Sequence, residues 1–122
     1  MTAPNGPVRH APGTVSDAAA VVLEHEPVPA PQVVAGTPTT AHLVLDDDGT
    51  RAVGVWAMSV GAMRDVEADE VFVVLDGAAT LEFEHPAIDA IELRPGSVVR
   101  LEAGMRTVWT VRQTLRKLYV AP

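Results

Sequence analysis

From residue 32 onward the chain is written in short runs of β-branched and apolar residues, each closed after a few positions by a turn signal. No stretch there repeats its apolar positions at helical spacing, so the pattern predicts an all-β sandwich or barrel. Residues 39–45 and 51–58 flank Asp46-Asp47-Asp48-Gly49, where Asp-Gly favours the positive φ of a tight hairpin turn. Residues 71–75 are apolar throughout, which predicts a strand covered on both faces. Residues 79–84, 90–94, 97–101, 107–111 and 115–120 bring the expected set to about eight strands. Turns are expected at Asp76-Gly77, His85-Pro86, Pro95-Gly96 and Ala103-Gly104.

The first 26 residues read differently. Pro4, Pro7, Pro12, Gly6 and Gly13 resist regular structure, so residues 1–26 are expected to form a loose, flexible arm ahead of a barrel domain over 27–122. Ser16 and Asp17 before an alanine run could cap a short helix that ends at Pro27. With 122 residues there is room for one domain of ordinary size.

Charge and composition exclude several classes. Nine basic against sixteen acidic side chains leave a net charge of −7, which argues against nucleic acid as a partner. The chain has no Cys, hence no disulfides, thiolate nucleophiles or cysteine zinc sites. No run approaches the roughly 18 apolar residues of a membrane span, and the first residues lack a secretory pattern, so a cytoplasmic protein is the expectation. Six of the nine basic residues lie beyond residue 92, with Glu102 the one acid among them. They could line a pocket for an anionic ligand, or pair with acids such as Asp65, Glu67, Asp69 and Glu70.

Three stretches resemble the cupin superfamily. Residues 61–77, GAMRDVEADEVFVVLDG, match the second half of the first cupin motif through Glu70 and Gly77. Residues 95–104, PGSVVRLEAG, resemble the opening of the second motif, and residues 107–120, TVWTVRQTLRKLYV, are similar to one branch, the ureidoglycine aminohydrolase-like cupins. The surroundings of Gly36 and Pro38, and of Trp56 and Gly61, resemble the first hairpin of that branch. The resemblance implies a cupin-type double-stranded β-helix, or jelly-roll barrel. Metal-binding cupins offer three histidines and a glutamate. Here the histidine positions fall on or near Arg64 and Val66 and on Thr107, leaving Glu70 alone, so no metal or other cofactor is expected. Trp56-Ala57 stands where other members have Trp-Glu.

Strand parity puts Glu70, Phe72 and Val74 on one face, and Thr107, Trp109 and Val111 on one face of a later strand. A pocket lined by Glu70, Phe72, Thr107 and Trp109 follows, with Arg64 at the rim as partner for Glu70. Glu70 is the candidate acid or base; Arg64, Phe72, Thr107, Trp109 and Tyr119 are the candidate ligand-binding residues. Plain core packing is the alternative for Trp109 and Phe72. Tyr119 and Lys117 could reach the pocket as hydrogen-bond donors, or Arg116 and Lys117 could pair across strands or across a dimer interface. The DDDGT run lacks an EF-hand's Gly and Glu, at Arg51 and Ala57, and reads as a turn. Three functions remain open: a metal-free cupin that binds a small polar or anionic metabolite, an enzyme acting on a small carboxylate, amide or ureide, or a merely structural role. Family analogy implies a homodimer.

Overall fold

The computed structural model describes residues 8–122, and residues 1–7 of the expected arm lie outside the described residues. The described residues contain nine strands and one 3-10 turn, at Ala30–Gln32. The strands are β1 Glu26–Pro27, β2 Val33–Ala35, β3 Thr39–Asp47, β4 Ala52–Met58, β5 Gly61–Val66, β6 Glu70–His85, β7 Ile91–Leu93, β8 Val98–Leu101 and β9 Arg106–Ala121. The all-β expectation holds, and every strand pair is antiparallel.

Two 16-residue strands, β6 and β9, form the spine of the curled sheet and pair along most of their length, from Val71↔Val120 to His85↔Arg106. The other edge of β9 carries β4 along its second half and β5 along its first. The other edge of β6 carries β8 and then β7. One sheet can therefore wrap on itself, with its inward residues facing each other across the curl. Alternation decides those residues: Phe72, Val74, Trp109, Val111 and Leu115 are all 2% exposed or less.

Four expectations change. Residues 71–75 and 79–84 belong to one strand, as do 107–111 and 115–120, because Asp76-Gly77 forms a bulge within β6 and makes no reversal. Gly77 has φ +95°, and a Cβ there would stand 2.3 Å from the Thr114 carbonyl oxygen of the neighbouring strand, so only glycine fits. Residues 71–75 are not covered on both faces, since Val71 is 43% exposed while Phe72 is 1%. Residues 16–24 make one turn and no helix, with Asp17 accepting backbone N–H bonds from Ala19, Ala20 and Val21.

Strands β1, β2 and β5 were not expected. GAMRDV in β5 has little β propensity by itself, and the ladder of β9 imposes the strand. The described part of the arm makes hydrogen bonds to the barrel. Asp46 accepts bonds from the Arg9 side chain and the His10 backbone, and Arg116 donates to the Ala18 and Val21 carbonyls at 3.0 and 2.9 Å. Asp46 and Asp47 end strand β3 and residues 48–51 make the hairpin turn, in which Asp48 accepts bonds from the Thr50 and Arg51 backbones around Gly49 at φ +90°.

Candidate functional site

A cavity of about 270 Å³ opens where β3, β4, β5, β9 and the first residue of β6 converge with the loop between β5 and β6. Each strand delivers its side chain by parity. Thr107 and Trp109 face inward from β9, so Asp65 and Met63, their partners on β5, face inward too. Arg64, between them, faces outward, where it is exposed and sits 3.5 Å from Glu84. Arg64 is therefore neither at the rim nor the partner of Glu70, which corrects the expectation drawn without a strand at 61–66.

The partner of Glu70 is Lys117. Its ammonium donates to Glu70 Oε1, and the lysine side chain is 5% exposed. The ammonium also lies 4.7 Å from the Trp56 ring centroid, 4.3 Å from that of Phe72 and 4.8 Å from that of Trp109. Three electron-rich ring faces and one carboxylate compensate a cation withdrawn from water. The rings also pack on one another, with centroids 5.3 Å apart for Trp56–Trp109 and 5.8 Å for Phe72–Trp109. Phe72 and Trp109 thus serve the core and the site together. Lys117 both reaches the cavity and pairs across strands, whereas Arg116, on the other face, holds the arm.

Glu67 is the principal residue that the sequence reading missed as part of the site. It is 8% exposed, and its Oε2 accepts a bond from the Thr107 hydroxyl at 2.5 Å and from the Trp109 indole N–H at 3.0 Å. The loop carrying it is latched by main-chain bonds: Glu67 N donates to Met105 O at 2.8 Å and Gly104 N donates to Glu67 O at 2.9 Å. Burial pushes the Glu67 carboxyl above its ordinary value, against the two donors that favour the anion, and nearby Asp65 raises it further. Asp65 is likewise raised, chiefly by burial. Two inward donors on β9, Thr107 and Trp109, already required a buried acceptor, and that was the available signal.

Tyr119 and His42 complete the wall. The Tyr119 ring lies against the bare backbone of Gly54, where a Cβ would stand 2.3 Å from its hydroxyl oxygen. Burial, followed by the Glu70 and Asp47 charges, raises the Tyr119 phenol, so it stays a neutral hydroxyl.

The residues do not fit a divalent metal of the kind metal-binding cupins hold. The Glu70 carboxylate is already engaged by an ammonium, Thr107 is engaged as a donor to Glu67, and Arg64 points away. Among the described residues, no three His, Cys, Asp or Glu side chains are grouped to hold one.

A family model described as an EutQ-like cupin domain matches residues 45–119. Among solved structures, the chain is similar to the EutQ protein of Clostridium difficile, at 16% identity and TM-score 0.60, covering 68% of this chain and 67% of that one. It is similar to a Pseudomonas syringae pv. tomato protein of unknown function in the DUF861 family, at 20% identity and TM-score 0.69, covering 84% of this chain and 45% of that one. The chain therefore spans less than half the length of that relative. A putative ethanolamine utilization protein from Salmonella typhimurium shares 16% identity at TM-score 0.59, with 83% and 97% covered. No curated protein matches the chain. These likenesses extend to the jelly-roll barrel.

Proposed function

Because this chain belongs to the EutQ-like cupin domain family, we propose that it binds a small polar metabolite at the mouth of its barrel, with no resident metal. The observation that carries this reading is the cavity itself, where polar side chains from four strands and a latched loop converge against two tryptophans. Asp65, Glu67, Glu70, Trp109 and Tyr119 contact the ligand or hold the groups that do, and Thr107 acts through Glu67. A place in the ureidoglycine aminohydrolase-like branch is part of the proposal, supported by Trp109 and the closing Arg116-Lys117-Leu118-Tyr119. A catalytic version rests on Glu67 and Asp65, whose carboxyls burial raises above their ordinary values and so makes readier to hold a proton.

The test exploits composition. Both tryptophans of the chain, Trp56 and Trp109, line the cavity, so intrinsic fluorescence reports directly on occupancy. A panel of polar metabolites is titrated and followed by tryptophan emission and thermal shift. A ligand at 100 times its dissociation constant stabilises the fold by about 2.7 kcal/mol. Saturable quenching that is lost in Glu67→Gln supports the reading, and silence across the panel overturns it.

The proposal includes a cytoplasmic homodimer. The outer face of β6, β8 and β9 leaves Val71 and its direct partner Val120 exposed, with exposed Val98 two positions along opposite Val73, and pairing would cover these apolar side chains. Light scattering on the purified chain gives the mass directly, and a monomer at all concentrations refutes this part.

A further inference from the structure

The Thr107, Trp109 and Lys117 donors around the cavity are already spent inside the protein, which leaves the neutral Tyr119 hydroxyl and the His42 ring among the remaining donor groups of its wall. The Thr107 hydroxyl and the Trp109 indole N–H both go to Glu67, and the Lys117 ammonium goes to Glu70 and three rings. The acceptors are in surplus. Glu67 uses Oε2 for both donors, Glu70 uses Oε1 for the lysine, and Asp65 uses Oδ1 for the Val66 backbone N–H. Among the described residues each acid therefore keeps one carboxylate oxygen without a protein donor, and three carboxylates face a single ammonium.

A second cavity of about 410 Å³ shares His42 and Trp56 with the first and continues outward along β1. Its charged lining residues are Glu24 and Glu26, with no lysine or arginine. The two together form a path with acids at both ends and an indole between them. The chain's own lysine shows how such walls hold a cation: ring centroids lie 4.3 to 4.8 Å from an ammonium that also meets a carboxylate. An anionic ligand would meet three carboxylates and find the one ammonium engaged.

Resting on the binding reading above, we propose that the ligand of this cavity is a small elongated organic cation, an amine or guanidinium. Its N–H groups meet the open oxygens of Asp65, Glu67 and Glu70, and its chain runs past Trp56 towards Glu24 and Glu26. The raised Asp65 and Glu67 carboxyls accord with this, since each is a buried acid short of positive partners. A cation entering would supply the missing charge in a setting where water is excluded and each contact counts for more.

Agmatine, with a guanidinium at one end and an ammonium at the other, is the probe, and succinate and 4-guanidinobutanoate are the comparators. Tryptophan emission and calorimetry are followed at low and high salt. The expected result is saturable binding of agmatine, weakened about tenfold by Asp65→Asn and unchanged by Arg64→Ala, whose side chain faces away. Glu26→Gln, an exposed substitution that leaves the core intact, is expected to weaken agmatine but not 4-guanidinobutanoate. Binding of succinate in preference to agmatine overturns the charge assignment and leaves the binding reading standing. Agmatine affinity indifferent to both Asp65→Asn and Glu26→Gln overturns the placement. No response to agmatine, when another member of the metabolite panel binds, overturns this inference alone; no response to any compound brings down both readings.

Discussion

Replacing Thr107 by valine removes one hydroxyl and keeps the shape of the side chain. Thr107 is fully buried and Glu67 is 8% exposed, so water cannot replace the lost donor. A hydrogen bond to a buried charged group contributes about 1.5–3 kcal/mol. Trp109 still donates to the same oxygen at 3.0 Å, which places the expected loss toward the lower end of that range. The sign of the pH dependence follows from linkage. Glu67 has a folded pKa above its ordinary value, so the folded chain is penalised for carrying its anion. That penalty is fully present above the folded pKa and disappears as pH falls through it towards the unfolded value. Removing a donor to the anion enlarges the penalty and costs the protonated acid much less. The assay is urea unfolding of wild type and Thr107→Val at about pH 8 and about pH 5, with the larger loss expected at the higher pH. Equal losses at the two pH values, or a loss below about 0.5 kcal/mol at the higher one, would refute a charged Glu67 held by Thr107.

Three further outcomes are expected. Gly77→Ala forces a side chain into a positive-φ position 2.3 Å from the Thr114 carbonyl oxygen, and should cost at least about 2 kcal/mol in urea unfolding; wild-type stability would mean that the β6 bulge is not where it is described. Gly54→Ala should fold with a change under about 1 kcal/mol, because the clash is with the movable end of Tyr119, yet alter ligand-induced tryptophan quenching; unaltered quenching would remove Tyr119 from the site. Lys117→Met leaves the Glu70 carboxylate without its cation and should cost up to about 3 kcal/mol, reduced because Glu70 is 16% exposed. Adding Glu70→Gln should recover most of that loss, and a double variant no more stable than Lys117→Met would exclude the pairing as its cause.

Sequence by itself determined the strand class, the turn chemistry and the inward face of the two long strands. Those properties are local: side chains alternate with period two, Asp48-Gly49 sets a hairpin turn between its flanking strands, and no distant residue is needed to read either. The alternation of Thr107, Trp109 and Val111, and of Phe72 and Val74, was legible for that reason. Tertiary structure alone decided how the two faces meet. GAMRDV has no strand signature, so its register against β9, which turns Arg64 out and Asp65 in, depends on a partner more than 40 positions away. Asp76-Gly77 looks like a turn until β9 passes beside it and makes it a bulge. Glu67 carries no motif, and only the convergence of Thr107 and Trp109 on one oxygen marks it. Lys117 was visible as a candidate, but whether it met a ligand, a surface acid or Glu70 was a question of where three aromatic rings gather. A buried charge is placed by the sum of its neighbours, and those neighbours are brought together by the ladder and not by the order of the chain.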